Sequence, residues 1–354
     1  MSEKVKYISV CSGIEAASVA WHDMGWEPVA FSEIEPFPSE VLKIRFPNTP
    51  NWGDMTKFNT WPNANVNLLV GGTPCQSFSV AGLRQGLKDP RGNLMLTFLA
   101  IAERYKPKWI VWENVPGVLS SNGGKDFGSF LGALGELGYG WAYRVLDAQW
   151  FGVAQRRKRV FVVGCLGDQR AAAEVLFESE SVSRNPAPSR EKRQAVTRAT
   201  EESVGSGKWW DGGDTSATLT TRSGGQYMPD KDNFQAVIQP TIIDRAAFNQ
   251  GENAQYEPKI EESETMPSLV ARGPHAVAHT ASRISNPPMA IRRLTPVECE
   301  RLQGFPDNWT KIPWKKKPAE DCPDGPRYKA CGNSMAVPVM RWIGQRINKK
   351  TDHF

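Results

Sequence analysis

Five short apolar runs, at residues 7–11, 28–32, 66–71, 109–112 and 160–164, punctuate the first half of the chain. Each is too short for a helix and is bounded by turn-forming or polar residues, the pattern of strands buried on both faces. Between them, 15–24, 38–45, 94–105 and 128–137 are amphipathic or rich in Ala and Leu, and are predicted to be helices. Strand alternating with helix predicts an α/β architecture, a parallel sheet covered on both faces, whose ligands bind at the carboxyl ends of the strands. The residues just after each strand are therefore where chemistry is expected.

From about 170 to 290 the texture changes to Ser, Arg, Glu, Gly and Pro with scattered apolar runs and no helical period. This predicts a second, smaller, irregular β-containing domain, entered through a flexible segment near 179–202. A faint echo links TSATLTTR (215–222) with TMPSLVAR (265–272), which share Thr, Leu and Arg at equal spacing; chance accounts for it equally well. After 291 regular patterning returns. Thr295 is placed as a helix cap, with Pro296 at the first helical position and Glu298 three residues on. Residues 335–347 are predicted to form a terminal helix.

With 354 residues, 40% of them hydrophobic, the chain can bury a substantial core. It holds no run approaching the roughly 18 apolar residues of a membrane span. Its first residues enter a strand-like segment without a signal-peptide pattern, so a cytoplasmic, membrane-free location is expected. Six cysteines (11, 75, 165, 299, 322 and 331) lie far apart, which argues for a reducing compartment and against a disulfide framework or a zinc site. His275 and His279 lack companion ligands, and no metal is expected. The formal charge is +5, yet 170–290 carries 13 Lys and Arg against 16 Asp and Glu, so the positive charge sits in the rest of the chain. Arg156 to Arg159 and Lys315 to Lys317 are its densest runs, suited to a polyanion; for the lysines a merely solvated face is the alternative.

Three features follow strands. GTPCQSFS (72–79) puts Cys75 on a Gly- and Pro-shaped turn after the third run, in the position of a nucleophile. A cysteine is often a small buried hydrophobe, but a core cysteine needs no polar turn around it. Glu113 and Asn114 end the fourth run, and QRRKR (155–159) leads into the fifth. Taken in order with DPRGN (89–93), RLQGFPDNW (301–309) and CGNSMAVP (331–338), these segments resemble the ordered motifs of the DNA cytosine-5 methyltransferase family. The resemblance covers nearly the whole chain apart from 170–290, where that family places its target-recognition domain.

The resemblance implies a Rossmann-like catalytic domain over 1–168, a target-recognition domain over 169–330 with its hinge at 292–310, and a return of 331–354 to the catalytic domain. It implies S-adenosyl-L-methionine as cofactor, double-stranded DNA as partner and a monomer of prokaryotic or phage type. Cys75 would add to C6 of a cytosine flipped from the duplex, making C5 nucleophilic toward the methyl group. Glu113 would hold N3 and the 4-amino edge, Arg157 would support O2 and the site geometry, and Arg159 would reinforce them. Residues 77–92 would form the loop that closes on DNA. Gln76, Ser79, Arg91 and Asn114 would be DNA contacts.

The cofactor turn departs from the usual Phe-x-Gly-x-Gly-Gly: Cys11 replaces the aromatic, and Glu15 and Ala16 stand at two glycine positions. Gly13 still permits close approach, and the helix end after it can accept the cofactor's carboxylate. Ile14, Ile34, Met55, Gly72, Pro74 and Leu94 join the expected cofactor site, with Glu33 at the ribose, Asp54 at the adenine amino group and Asn333 and Ser334 closing the pocket. Thr218, Leu219, Arg222 and Arg272 are the candidate base readers. An RNA cytosine-5 methyltransferase and a catalytically silent DNA-binding protein on the same scaffold stay open as alternatives.

Overall fold

Apolar residues on both faces of a strand force helices onto both sides of the sheet, and the strands here obey that rule residue by residue. A computed structural model describes residues 4–74, 93–177, 241–243, 260–262, 276–279 and 290–351. Six strands, β1 (Lys6–Val10), β2 (Glu27–Ser32), β3 (Leu68–Gly71), β4 (Trp109–Asn114), β5 (Tyr139–Asp147) and β6 (Lys158–Leu166), form one sheet in the order β2-β1-β3-β4-β6-β5. Among the described residues the helices are α1 (Ala16–Trp21), α2 (Pro36–Arg45), α3 (Leu94–Tyr105), α4 (Lys125–Glu136), α5 (Gln169–Leu176), α6 (Pro296–Gln303), α7 (Asp324–Asn333) and α8 (Val337–Thr351).

Successive residues alternate between two cores, as the period of a strand requires. Tyr7, Leu68, Val70, Trp109, Val111 and Phe161 face the layer built from α1, α2 and α5 to α8. Ile8, Val10, Leu69, Ile110, Trp112 and Val162 face the layer built from α3 and α4. Because β1 feeds β2 on one side while β3 returns on the other, the sheet's topological switch point lies between the carboxyl ends of β1 and β3. That is the crevice in which open α/β sheets bind ligands.

The all-parallel expectation is corrected in one respect. β1 to β4 are mutually parallel, but β6 runs antiparallel between β4 and β5. β5 also goes unforeseen in the sequence: as an edge strand it leaves Tyr143 and Val145 about 41% exposed and shows no continuous apolar run. The connection from β5 back to β6 is closed by Asp147, whose carboxylate accepts hydrogen bonds from the amides of Gln149 and Arg157. The predicted helix at 15–24 is split, α1 ending at Trp21 and a single 3-10 turn following over His22–Met24.

Four short strands, β7 (Thr241–Ile243), β8 (Ile260–Glu262), β9 (Ala276–His279) and β10 (Ala290–Arg293), form a separate antiparallel sheet in the order β10-β9-β7-β8. The strands β7, β8 and β9 fall inside the compositionally distinct stretch, and β10 starts at its end. α5 and the residues from Leu294 onward instead join the core of the six-stranded sheet, through Val175, Leu176, Cys299, Phe305 and Ala330. α6 begins at the expected capping box, Thr295 accepting from the amide of Glu298 and Glu298 from that of Thr295. No helix among the described residues is long and apolar enough to cross a membrane.

α8 packs against α1 at the chain's opposite end. The indole of Trp21 donates to the carbonyl of Met340 at 2.8 Å, and Gly344 leaves room for it: a Cβ there would lie 2.3 Å from Trp21 Nε1. Gly344→Ala is therefore expected to destabilise the fold by about 1–3 kcal/mol, the usual cost of overpacking. A shift of the urea midpoint at unchanged slope would measure it.

Candidate active site

The strand period decides which polar side chains meet. Glu113 follows Val111 by two on β4 and Arg159 precedes Phe161 by two on β6, so both project toward the α1 side. There Arg159 Nε lies 3.0 Å from Glu113 Oε1, an ion pair with both side chains largely shielded. Ser9, two residues after Tyr7 on β1, faces the same side and lines the same cleft. Gly72, just past β3, completes the floor: a Cβ at that position would lie 3.0 Å from Glu113 Oε2 and 3.1 Å from Met335 Cε.

The turn that leads to Cys75 is pinned at Thr73. Trp112 Nε1 donates to its hydroxyl and Asn114 Nδ2 to its carbonyl, each at 2.9 Å. Asn114, expected among the DNA contacts, is buried and has its amide committed to this turn and to the amide of Val115. Pro74 is the last described residue before the nucleophile position. Cys75, Gln76, Ser79, Arg91, Thr218, Leu219, Arg222 and Arg272 lie outside the described residues.

The two arginines of the 155–159 motif part company. Arg157 is buried, and its guanidinium donates to the carbonyls of Ser334 at 2.8 Å and Gly332 at 3.3 Å. Burial, with Arg159 nearby, pushes its pKa down to about 9, against the pull of Glu113; it stays a cation at neutral pH. Arg157 thus braces the site through the backbone of 332–334, and Arg159 is the arginine against Glu113. A third carbonyl of the returning segment, that of Cys331, accepts from Gln303 Nε2 at 2.7 Å. Three buried side-chain donations therefore place Asn333 and Ser334 across the cleft from β1.

At the other wall, Cys11 and Gly13 both take positive φ, and the Gly13 amide donates to Glu33 Oε2 at 2.7 Å. Glu33 Oε1 accepts the amides of Ile34 and Glu35, which fixes its carboxylate at the end of β2. Cys11, half-buried, points its thiol at Met55 Sδ, and its desolvation next to Glu33 pushes its pKa up to about 12. Glu15 turns inward as the cap of α1, accepting from the amide and hydroxyl of Ser18. Glu15 thereby takes one amide of this helix end, that of Ser18, for itself.

Of the expected cofactor residues, Cys11, Gly13, Glu15, Ala16, Gly72, Asn333 and Ser334 line one cleft, together with Glu113. Ile14 is fully buried in the core and contributes only its carbonyl, which accepts from Trp309 Nε1 at 2.9 Å. Met55 is core, Asp54 caps the turn at Thr56, and Leu94 opens α3 behind the Asn93 cap; none of these three lines the cleft, nor do Glu33, Ile34 and Pro74. Ile34, beside Glu33, is 68% exposed. Sequence reasoning missed Ser9, Ser12 and Met335; Ser9 alone left a signal, as a polar residue inside a buried strand.

The model of C-5 cytosine-specific DNA methylases matches residues 5–349. The chain belongs to that family. Among the family's relatives, it is 37% identical over 97% of its length to a "DNA N-6-adenine-methyltransferase" of Escherichia phage P1, of which it spans 61%. It is 30% identical over 97% of its length to the type II methyltransferase M1.ScrFI of Lactococcus lactis, spanning 78% of that protein. In fold it is similar to the Dnmt2 methyltransferase of S. pombe, with TM-score 0.57 at 16% identity over 98% of this chain and 99% of that one. A prophage-encoded putative DNA modification methyltransferase of E. coli is as similar, with TM-score 0.57 over 99% and 100% of the two chains.

S-adenosyl-L-methionine is the methylase family's cofactor, and the cleft fits it. Gly13 and Gly72 leave the backbone bare on both sides of the cleft, a Cβ at the second lying 3.0 Å from Glu113 Oε2, and Glu15 Oε2 is a buried oxygen without a hydrogen-bond partner. The 9–17 turn, Gly72 and the 333–335 segment would hold the methionine part, and Glu33 with the exposed Ile34 would meet the ribose and adenine.

Proposed function

We propose that this chain methylates C5 of cytosine in double-stranded DNA, with Cys75 as the attacking thiolate. The observation that carries the reading is the Glu113–Arg159 ion pair, with Glu113 against Gly72 in the cleft and the next residue, Thr73, held by Trp112 and Asn114 two positions before Cys75. S-adenosyl-L-methionine would supply the methyl group when bound. C5 of cytosine is a weak nucleophile, so the thiolate of Cys75 first bonds to C6. Glu113 holds N3 and the 4-amino group as ring electron density shifts there, and Arg159 fixes the carboxylate while placing positive charge toward O2. After methyl transfer, loss of the C5 proton returns the electron pair and expels Cys75.

The base must leave the duplex to reach this cleft. Residues 178–293, with Thr218, Leu219, Arg222 and Arg272 as candidate readers, would select the site. Gln76, Ser79 and Arg91 would contact the flipped nucleotide or its phosphates.

The name of the phage P1 relative favours a second reading, transfer to the exocyclic N6 of adenine. That nitrogen needs no covalent activation of a ring carbon, and so no thiolate. Nucleoside analysis of unmethylated DNA treated with the protein and cofactor separates the two. The expected product is 5-methylcytosine, with bisulfite sequencing giving the site; N6-methyladenine as the sole product would overturn the proposal.

A further inference from the structure

Glu15 occupies a position where the related pattern has glycine, and among the described residues it is the most deeply buried carboxylate in the cleft. Its residue is 1% exposed. Oε1 accepts from the amide of Ser18 at 3.0 Å and from its hydroxyl at 3.1 Å, while the Ser9 hydroxyl faces the same carboxylate. Oε2 is buried without a hydrogen-bond partner. Among the described residues no lysine or arginine lines the cleft around it; its charged neighbours there are Glu113 on β4 and, close behind Gly13, Glu33 at the end of β2. On β1, Tyr7 bonds Ser18 and stays neutral, its pKa raised well above the usual phenol value by burial and by Glu15 itself.

An ionised carboxylate in such a place is costly unless a cation or a donor comes to it. Burial, with Glu33 nearby, pushes the Glu15 pKa up to about 7 against the pull of the Ser9 and Ser18 donors. The capping role does not require that charge, because a neutral amide oxygen would accept from Ser18 as well. The free oxygen thus points to a ligand group that the protein does not supply.

We infer that Glu15 is the receptor for the α-ammonium of the cofactor's methionine part, and that Oε2 accepts one of its N–H bonds. The cofactor carries two positive centres, ammonium and sulfonium. Only the ammonium has hydrogens to donate, and an oxygen that already lacks a donor is completed by it and not by sulfur. This inference rests on the cofactor assignment above. The acidic departure in the turn thereby acquires a specific purpose, since the glycine form of this turn offers backbone alone, whereas Glu15 supplies a charge.

The test is a binding cycle by calorimetry, read without turnover. S-adenosylhomocysteine and its analogue lacking the α-amino group are titrated into the wild type and into Glu15→Gln, which keeps an oxygen for the Ser18 amide. The wild type is expected to bind the parent at least about 10-fold more tightly than the analogue, and the variant to bind the two about equally. S-adenosylmethionine should weaken in the variant by the same factor as S-adenosylhomocysteine. A wild type indifferent to the amino group overturns the inference whether or not the variant folds. So does a variant that still discriminates, or one that loses affinity for S-adenosylmethionine alone, which would put the carboxylate at sulfur. Failure of the wild type to bind either cofactor form would instead overturn the cofactor assignment itself.

Discussion

Cys75→Ser is expected to lose methyl transfer to cytosine by at least about 10³-fold while S-adenosyl-L-methionine binds with unchanged affinity. A serine hydroxyl at neutral pH is neither ionised nor soft enough to add to C6, and among the described residues nothing in the cleft is placed to act in its stead. Cys11, which lines the cleft, is held protonated by burial and turned toward Met55. Glu113, Arg159 and the cofactor walls do not depend on the sulfur, and the Thr73 clamps from Trp112 and Asn114 stop short of it. Incorporation of labelled methyl groups into DNA, set beside a cofactor titration, gives both halves of the result. Near-wild-type 5-methylcytosine in the variant would sink the nucleophile assignment, and undiminished N6-methyladenine would mark the adenine reading as correct.

The second large effect lies away from the chemistry. Glu300 is fully buried on α6, where Oε1 accepts from the Thr310 amide at 2.8 Å, from the Thr310 hydroxyl and from Arg327 at 3.1 Å. Arg327 also donates to the Thr310 hydroxyl at 3.0 Å, and its side chain is only 7% exposed. Removing one member of such a pair strands a charge in the core. Arg327→Met is therefore expected to cost about 3–5 kcal/mol. Pairing it with Glu300→Leu should restore a large part of that loss, because the stranded carboxylate goes too. Urea denaturation of the two singles and the double variant completes the cycle; an Arg327→Met protein within about 0.5 kcal/mol of wild type would show that the pair does not anchor α6. The loss should also reach the cofactor, since Thr310 adjoins Trp309, whose indole holds the carbonyl of Ile14 beside Gly13.

Much of this architecture is legible in the chain. The buried strands announce themselves because both faces are apolar, and the Thr295 capping box is a local signal that stands in the sequence itself. β5 is illegible for the opposite reason: an edge strand with Gly140, Arg144 and exposed alternate residues has the pattern of a surface segment. The reversal of β6 is equally hidden, because direction is set by the length of the return past Asp147 and not by the apolar run. Within the site, the residue types were readable and their partners were not. Nothing in QRRKR tells Arg157 from Arg159, which share a strand parity; only the folded chain, with Arg157 just before β6 and Arg159 within it, brings one to the carbonyls of 332 and 334 and the other to Glu113. Asn114 likewise reads as a ligand contact until its neighbour Thr73 is in place.

The docking of α8 on α1 has a consequence for how the protein comes into being. The near wall of the cofactor cleft is made by residues 9–17 and the far wall by 333–335, more than three hundred residues later. At a synthesis rate of about 5–20 residues per second, the emerging chain waits on the order of half a minute with its first wall finished and its second not yet made. Glu15 spends that interval beside an open groove, and Trp21 without the carbonyl it will hold. Cofactor capture is thus tied to the making of the second wall: the growing chain cannot enclose its methyl donor until the 333–335 segment has been laid down.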